Sequence, residues 1–219
     1  MQGTSAMQVG ASGETKDATR ELLGLLRDSK AQPERVAQIF DQMSHAQRVV
    51  AIRATGRREQ SKLWKAVDGF APLSLLDIVP ATQAANQQVR HYGKNSLPLF
   101  TGFEKRFVRP EGQDATCPTE LHGYNFQHSG IATSFSGPGY FVARNDEKRG
   151  EVLVDYYRVP QSKPQGWPTI RTNEHGGARL VYGFMIDTLR RVSEHVTIGH
   201  ANKHGKDMSA WFILCREVE

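Results

Sequence analysis

The chain has 219 residues, of which 38% are hydrophobic and 9% aromatic, with a formal net charge of +5. The pI is about 9.3 and the mean hydropathy −0.52. This length admits one large domain or two small ones and a real core, while the absence of any long apolar run excludes a helical membrane span. Cys117 sits beside Pro118 in a polar stretch and Cys215 in an apolar one. A disulfide framework is therefore not expected, which fits a reducing, cytoplasmic setting. The mild positive charge reads as a solvated basic surface.

Residues 1–16 are polar and Gly/Ser-rich without an apolar h-region, so they read as a disordered tail and not a secretory signal. Residues 17–80 read as a helical segment. Leu22, Leu23, Leu25 and Leu26 begin an apolar face. Pro33 suits the first position of a second helix, whose Val36, Ile39, Phe40 and Met43 recur at i, i+3, i+4 and i+7. Ser44 with Gln47 forms a capping box for a third helix that stops at Gly56. Gln60, Leu63, Trp64, Val67 and Phe70 stripe a fourth, and Ser74 with Asp77 opens a short capped turn before Pro80. Such short helices must pack on one another, on a second unit or on a partner. Arg53, Arg57, Arg58, Lys62 and Lys65 spread over the third and fourth helices without helix-turn-helix spacing. Nucleic acid is not expected as a partner.

Composition shifts near residues 81–85, and residues 85–219 are predicted to form an antiparallel β-barrel. Strands are expected at 89–92, 121–127, 131–135, 140–144 and 151–159, with a charged hairpin tip at Asn145–Gly150. The spacing of Phe100, Phe103 and Phe107 leaves 97–109 open between a bulged strand and a helix. Residues 160–177 form a long Pro- and Gly-bearing loop, and Trp167 within it is suited equally to covering a barrel mouth or to lying outside. The apolar run Leu180–Ile186, the alternation Glu194–Ala201, a turn at Asn202–Gly205 and a strand Ser209–Arg216 close the chain. Trp211, Ile213 and Cys215 share one face of that last strand and Phe212, Leu214 and Arg216 the other, so it is expected to be covered on both sides. About eight strands suit a small barrel holding one ligand.

The pattern Ile186-Asp-Thr-Leu-Arg190, Val196-Thr-Ile-Gly-His-Ala201, Gly205-Lys206 and Trp211-Phe-Ile-Leu-Cys-Arg216 resembles the closing strands of calycin-type barrels, the lipocalin, fatty-acid-binding and plastid-fibrillin proteins. The resemblance implies an α+β chain with an N-terminal helical segment packed on a calycin-like barrel, and a small hydrophobic or amphipathic ligand inside it.

Polar residues within apolar strands carry the remaining signal. By parity, Leu153, Asp155 and Tyr157 share a face, as do Tyr140, Val142 and Arg144, then Met185, Asp187 and Leu189, and finally Phe212, Leu214 and Arg216. A charge facing into a small barrel must find a partner. Either Asp155 or Asp187 pairs with Arg144 or Arg216 in a structural network, or Arg144, Tyr157 and Arg216 grip an anionic head whose tail lies among Phe184, Phe212 and Leu214. The resemblance favours the second, since fatty-acid-binding relatives use Arg and Tyr in this way. Some calycin-like barrels are isomerases, cyclases or decarboxylases, and for an enzyme His91, Lys94 and Asp155 are the candidate proton-transfer groups. A third reading makes residues 17–80 a docking surface for a protein partner. No cofactor and no metal are expected: His195 and His200 are five apart and point to opposite faces, His204 lies in a turn, and no neighbouring cysteine or carboxylate completes a zinc set, while His122 and His128, six apart, could share a face but have Gly123 and the strand limits against them.

Overall fold

The computed structural model describes residues 13–28, 31–98, 101–127 and 137–218. Residues 1–12 of the expected tail, the strand expected at 131–135, and His128 lie outside the described residues; Gly13 to Lys16 form the first turn of α1. Helices α1 (Gly13–Arg27), α2 (Pro33–Gln42), α3 (His45–Ala54) and α4 (Arg57–Ala66) precede a single turn, α5 (Leu75–Ile78). Eight antiparallel strands then close on themselves in sequence order. They are β1 (Val89–Asn95), β2 (Gly102–Val108), β3 (Leu121–Gln127), β4 (Tyr140–Asp146), β5 (Glu151–Asp155), β6 (Met185–Arg191), β7 (Val196–Lys203) and β8 (Lys206–Arg216). β1 pairs with both β2 and β8, which leaves no free edge. The protein is therefore an α+β chain, with a helical segment packed on a closed eight-stranded antiparallel barrel.

The local signals act as chemistry requires. Pro33 occupies the helix start where its missing N–H is harmless. The Gln47 amide N–H donates to Ser44 Oγ at 3.3 Å while the Ser44 N–H donates to Gln47 Oε1 at 2.8 Å, so two helix-end donors are satisfied reciprocally. The apolar stripes of α1 to α4 meet the outer face of β7, β8 and β1, where Leu22, Leu26, Phe40, Ile52 and Leu63 bury against Val196, Ile198, Ile213 and Cys215. Each such side chain stabilises the assembly by roughly 1.5–3 kcal/mol. Arg190 fastens the joint. Its guanidinium lies 3.7 Å from the Trp64 ring centroid, donates to the Trp64 carbonyl at 2.9 Å and to Glu151 Oε1 at 2.7 Å.

The other face of β8 points inward, as its two apolar faces foretold. Phe212 and Leu214 join Val89, Phe103, Phe107, Leu121, Phe141, Val152, Val154 and Leu189 in one interior cluster. Three inward glycines make room for aromatic rings. A Cβ at Gly199 would stand 2.1 Å from the Phe212 ring, one at Gly123 2.3 Å from Phe141, and one at Gly93 2.7 Å from Phe103. The barrel is thus filled by rings seated on backbone.

The two ends differ. At the lower end, where β1 begins and β8 ends, Leu73, Leu75, Ile78 and Val79 of the α5 region plug the interior. The Leu75 N–H donates to Asn145 Oδ1 at 2.9 Å. At the upper end lie the connections after β1, β3 and β5 and the β7–β8 hairpin. Of the region 97–109, Phe100 lies outside the described residues, and Gly102–Val108 forms β2 with Phe103 and Phe107 inward. Trp167 takes the outer position, 4.7 Å from the Tyr124 ring and hydrogen-bonded to Gln88, on the outside of β3 and β4. The Leu180–Ile186 run is not one strand. Gly176–Val181 forms a short helix, α6, and β6 starts only at Met185. Tertiary packing overrides the strand propensity here: Tyr182 turns into the mouth to stack on Tyr156 at 5.3 Å, and the chain reverses through Gly183 and Phe184, the latter at φ 62°.

Candidate functional site

Inside the upper half of the barrel, alternation along four strands converges on a polar quartet. Lys105 lies between Phe103 and Phe107 on β2, Asn125 follows Gly123 on β3, Tyr156 follows Val154 past the end of β5, and Asp187 lies between Met185 and Leu189 on β6. Their exposures are 1%, 4%, 2% and 2%, so each needs a partner within the fold. Lys105 Nζ donates to Asp187 Oδ2 at 3.0 Å, to Asn125 Oδ1 at 3.1 Å and to the Tyr156 hydroxyl. The Tyr156 hydroxyl donates to Asp187 Oδ2 at 3.2 Å, and Asn125 Nδ2 donates to Tyr156 at 2.9 Å and to the Gly139 carbonyl at 3.2 Å. Asp187 Oδ1 has no hydrogen-bond partner among the described residues, although it is buried.

Burial acts on all the titratable members in the direction of neutrality. It lowers the Lys105 ammonium pKa, against the pull of Asp187, and raises that of the Asp187 carboxyl, against the pull of Lys105. It also raises Tyr156 well above the usual phenol value, with the Asp187 charge adding to the effect. The rings of Phe212, Phe141 and Tyr156, with centroids 4.9, 5.0 and 5.0 Å from Lys105 Nζ, offset part of this by favouring the cation.

A cleft of about 1030 Å³ opens beside the quartet. Its walls are the upper end of β3 (Tyr124 to Gln127), the Gly137–Gly139 turn, and the segment from Gly166 to Ala178, with Arg106 at one side. Asn173 anchors that segment by donating to the carbonyls of Tyr140 at 2.7 Å and Tyr156 at 3.0 Å. Arg106 is held by Glu104 at 2.7 Å and lies 3.8 Å from the Phe126 centroid. Arg171 is exposed and has no ion-pair partner among the described residues. Arg171 thus brings an unpaired guanidinium to the cleft beside the Glu104-paired Arg106, and no carboxylate lines it among the described residues. Asn125 belongs to both the cleft and the quartet.

The residues singled out from sequence are dispersed. Phe212, Leu214 and Arg216 face inward, but Arg216 stands at the lower end with Nη2 3.0 Å from His195 Nδ1. His91 also faces inward and points down, its Nε2 3.0 Å from the Ile78 carbonyl; burial lowers its pKa to about 3, so it is neutral. Arg144 lies on the face of β4 opposite the inward Phe141 and Ala143. Asp155 lies opposite the inward Val152, Val154 and Tyr156, and accepts the Tyr157 N–H at 2.9 Å. Tyr157 is 51% exposed at the upper rim, edge-on to Phe184, which stacks on His204 at 4.6 Å. Lys94, opposite inward Gly93, donates to Thr101 Oγ1 at 3.0 Å. Arg216 and Tyr157 are therefore a strand's length apart, and Arg144 is on the outside. The histidines part likewise: His200 bonds Asp207 at 2.8 Å and His195 bonds Arg216.

Asp187 was legible as an inward acid, but Lys105, Tyr156 and Asn125 were not singled out. Two signals mark them: the i, i+2, i+4 alternation Phe103, Lys105, Phe107, and the apolar parity Val152, Val154, Tyr156.

The chain matches no protein-family model, and no curated protein and no solved structure shows significant similarity to it.

Proposed function

We propose that the protein binds a small amphipathic molecule with an anionic group at the upper mouth of a calycin-like barrel. The observation that carries this reading is Asn125, which floors a cleft lined by Arg171 and at the same time caps the buried Lys105–Tyr156–Asp187 network. The cleft volume of about 1030 Å³ suits a drug-sized or metabolite-sized ligand. Tyr124 and Phe126 supply apolar surface, and Arg171 supplies a cation for the head group. The helices have their apolar stripes engaged with the barrel, and the large apolar side chains exposed among the described residues lie elsewhere, at Leu97, Tyr157, Leu180, Val181, Met208 and Val218. This supports the ligand reading over docking through residues 17–80.

Native mass spectrometry of protein purified from cells, followed by thermal shifts against fatty acids and aromatic carboxylates, tests the proposal. A ligand at a hundred times its Kd stabilises by about 2.7 kcal/mol, a rise of roughly 5–11 °C for a chain of this size. Arg171→Ala is expected to weaken carboxylate binding about tenfold and leave the apoprotein Tm unchanged. No shift with any member of the panel, together with a ligand-free native mass, refutes the reading.

A further inference from the structure

We propose that Lys105 is a reactive amine that forms an imine with a small aldehyde or ketone arriving through the cleft, with Asp187 and Tyr156 moving the protons. The inference rests on the binding reading above, because the carbonyl compound must first lodge at the mouth.

Four features lead to it. Lys105 Nζ is surrounded by three oxygens that can each take or return a proton or orient a hydroxyl: Asp187 Oδ2 at 3.0 Å, Asn125 Oδ1 at 3.1 Å and the Tyr156 hydroxyl. One of these, Asn125, is the cleft floor, so a ligand entering from the cleft displaces an amide from Nζ and leaves the acid and the phenol in place. Asp187 Oδ1 is buried without a partner among the described residues. A hydroxyl held at the carbon attached to Nζ would supply the missing donor. Finally, burial lowers the Lys105 pKa and raises that of Asp187, so a proton passes from the ammonium to the carboxylate more readily than in water, and the uncharged amine so formed is the nucleophile. Of the remaining groups facing Lys105, His91 is its register partner across β1 and β2 but is neutral and turned to Ile78.

The step balances without oxidant or reductant. Lys105 Nζ first passes a proton to Asp187 along their 3.0 Å hydrogen bond; the freed Nζ lone pair then bonds to the carbonyl carbon, and the carbonyl oxygen takes the Asp187 proton. The nitrogen then returns a proton to the Asp187 carboxylate, giving a carbinolamine. Asp187 protonates the carbinolamine hydroxyl, oriented by Tyr156. The C–O bond breaks, water leaves, and the nitrogen lone pair completes a protonated imine with the Asp187 carboxylate as its counter-ion.

The test uses para-carboxybenzaldehyde, with para-toluate as the matched carboxylate that lacks the carbonyl. Binding of each to the full chain is measured by calorimetry. In parallel, the aldehyde is incubated at neutral pH with cyanoborohydride, which reduces the imine to a stable secondary amine, and the site is read by peptide mapping. An ordinary lysine is uncharged to only about one part in 2,500 at pH 7. The expected result is a single adduct on Lys105, labelled at least about tenfold over any surface lysine, and lost in Lys105→Arg. Binding of both compounds with no adduct at Lys105, or labelling spread over surface lysines, overturns the imine and leaves the binding reading standing. Failure of both compounds to bind overturns both. The wild-type peptide map reads the modified residue directly, so the test stays decisive even where the Arg variant folds poorly.

Discussion

Removing the charge of Lys105 while keeping its length, as in Lys105→Met, leaves Asp187 inside the barrel with Tyr156 as its remaining donor. Both members of the pair are almost fully buried, at 1% and 2% exposure. Breaking such a pair on one side costs about 3–5 kcal/mol, or roughly 6–20 °C in Tm at this chain length. The sign of its pH dependence follows from the orphaned acid. Without Lys105 the folded state holds Asp187 protonated at a pH where the unfolded chain, with a carboxyl near 3.9, has released its proton. The folded state then binds more protons, so the variant's stability is greatest at low pH. Its deficit against wild type grows by about 1.4 kcal/mol per unit as pH rises from about 4 toward the raised folded value. Urea titrations of both proteins at pH 5 and pH 7, followed by tryptophan fluorescence, read the difference. The double variant Lys105→Met/Asp187→Leu removes both charges together and is expected to recover most of the loss, giving a coupling of about 2 kcal/mol or more. A single-variant cost under about 1 kcal/mol, flat between the two pH values, refutes the picture of a desolvated pair.

Three further outcomes follow from particular contacts. Gly199→Ala places a methyl where the Phe212 ring stands, at 2.1 Å, and is expected to cost about 1–3 kcal/mol by denaturation; combining it with Phe212→Leu is expected to relieve part of that. His91 has its pKa lowered to about 3 in the fold, so the unfolded chain takes up the proton first as pH falls below about 6.5. Its contribution is present above that value and is lost progressively toward pH 3, at about 1.4 kcal/mol per unit. The acid limb of a stability–pH curve is expected to flatten in His91→Gln. Cys215 is buried and its thiol is pushed up to about 12, whereas Cys117 is exposed. A thiol reagent is expected to label Cys117 alone in native protein, with Cys215 following only in denaturant; rapid native labelling of Cys215 contradicts the covered outer face of β8.

Where a residue's own pattern dictates its surroundings, the sequence sufficed. Pro33, the Ser44–Gln47 box and the two apolar faces of β8 place a helix start, a cap and a doubly covered strand through chemistry within a few positions. The barrel site depended on strand parity, which a short local deviation inverts. On β4 and β5 the polar members Arg144, Asp155 and Tyr157 suggested one face, while the chain turns Phe141, Ala143, Val152, Val154 and Tyr156 inward. Burying the larger apolar set outweighs hiding one polar side chain. The Leu180–Ile186 run misleads for a different reason: Tyr182 enters the mouth, while Leu180 remains 71% exposed. No local propensity records that division. Lys105 is a further case, since a lysine flanked by Glu104 and Arg106 reads as surface until Phe103 and Phe107 are given the alternation of a strand.

Stability alone does not account for the quartet. Apolar side chains of similar volume are often as good as a buried ion pair or better, and the same barrel fills its interior with rings seated on Gly93, Gly123 and Gly199. Nor does the fold need the pair at one particular level, because a structural bridge would serve equally beneath the α5 plug. It lies instead in the upper half, one hydrogen bond from a cleft. Its acid keeps an unpartnered oxygen among the described residues, a standing cost of about 1–3 kcal/mol for a buried polar atom. The fold tolerates that cost where a bound molecule would remove it. The double variant Lys105→Met/Asp187→Leu separates the two roles: it is expected to keep the barrel, since it buries no unpaired charge, and to lose the carbonyl chemistry proposed for the upper mouth.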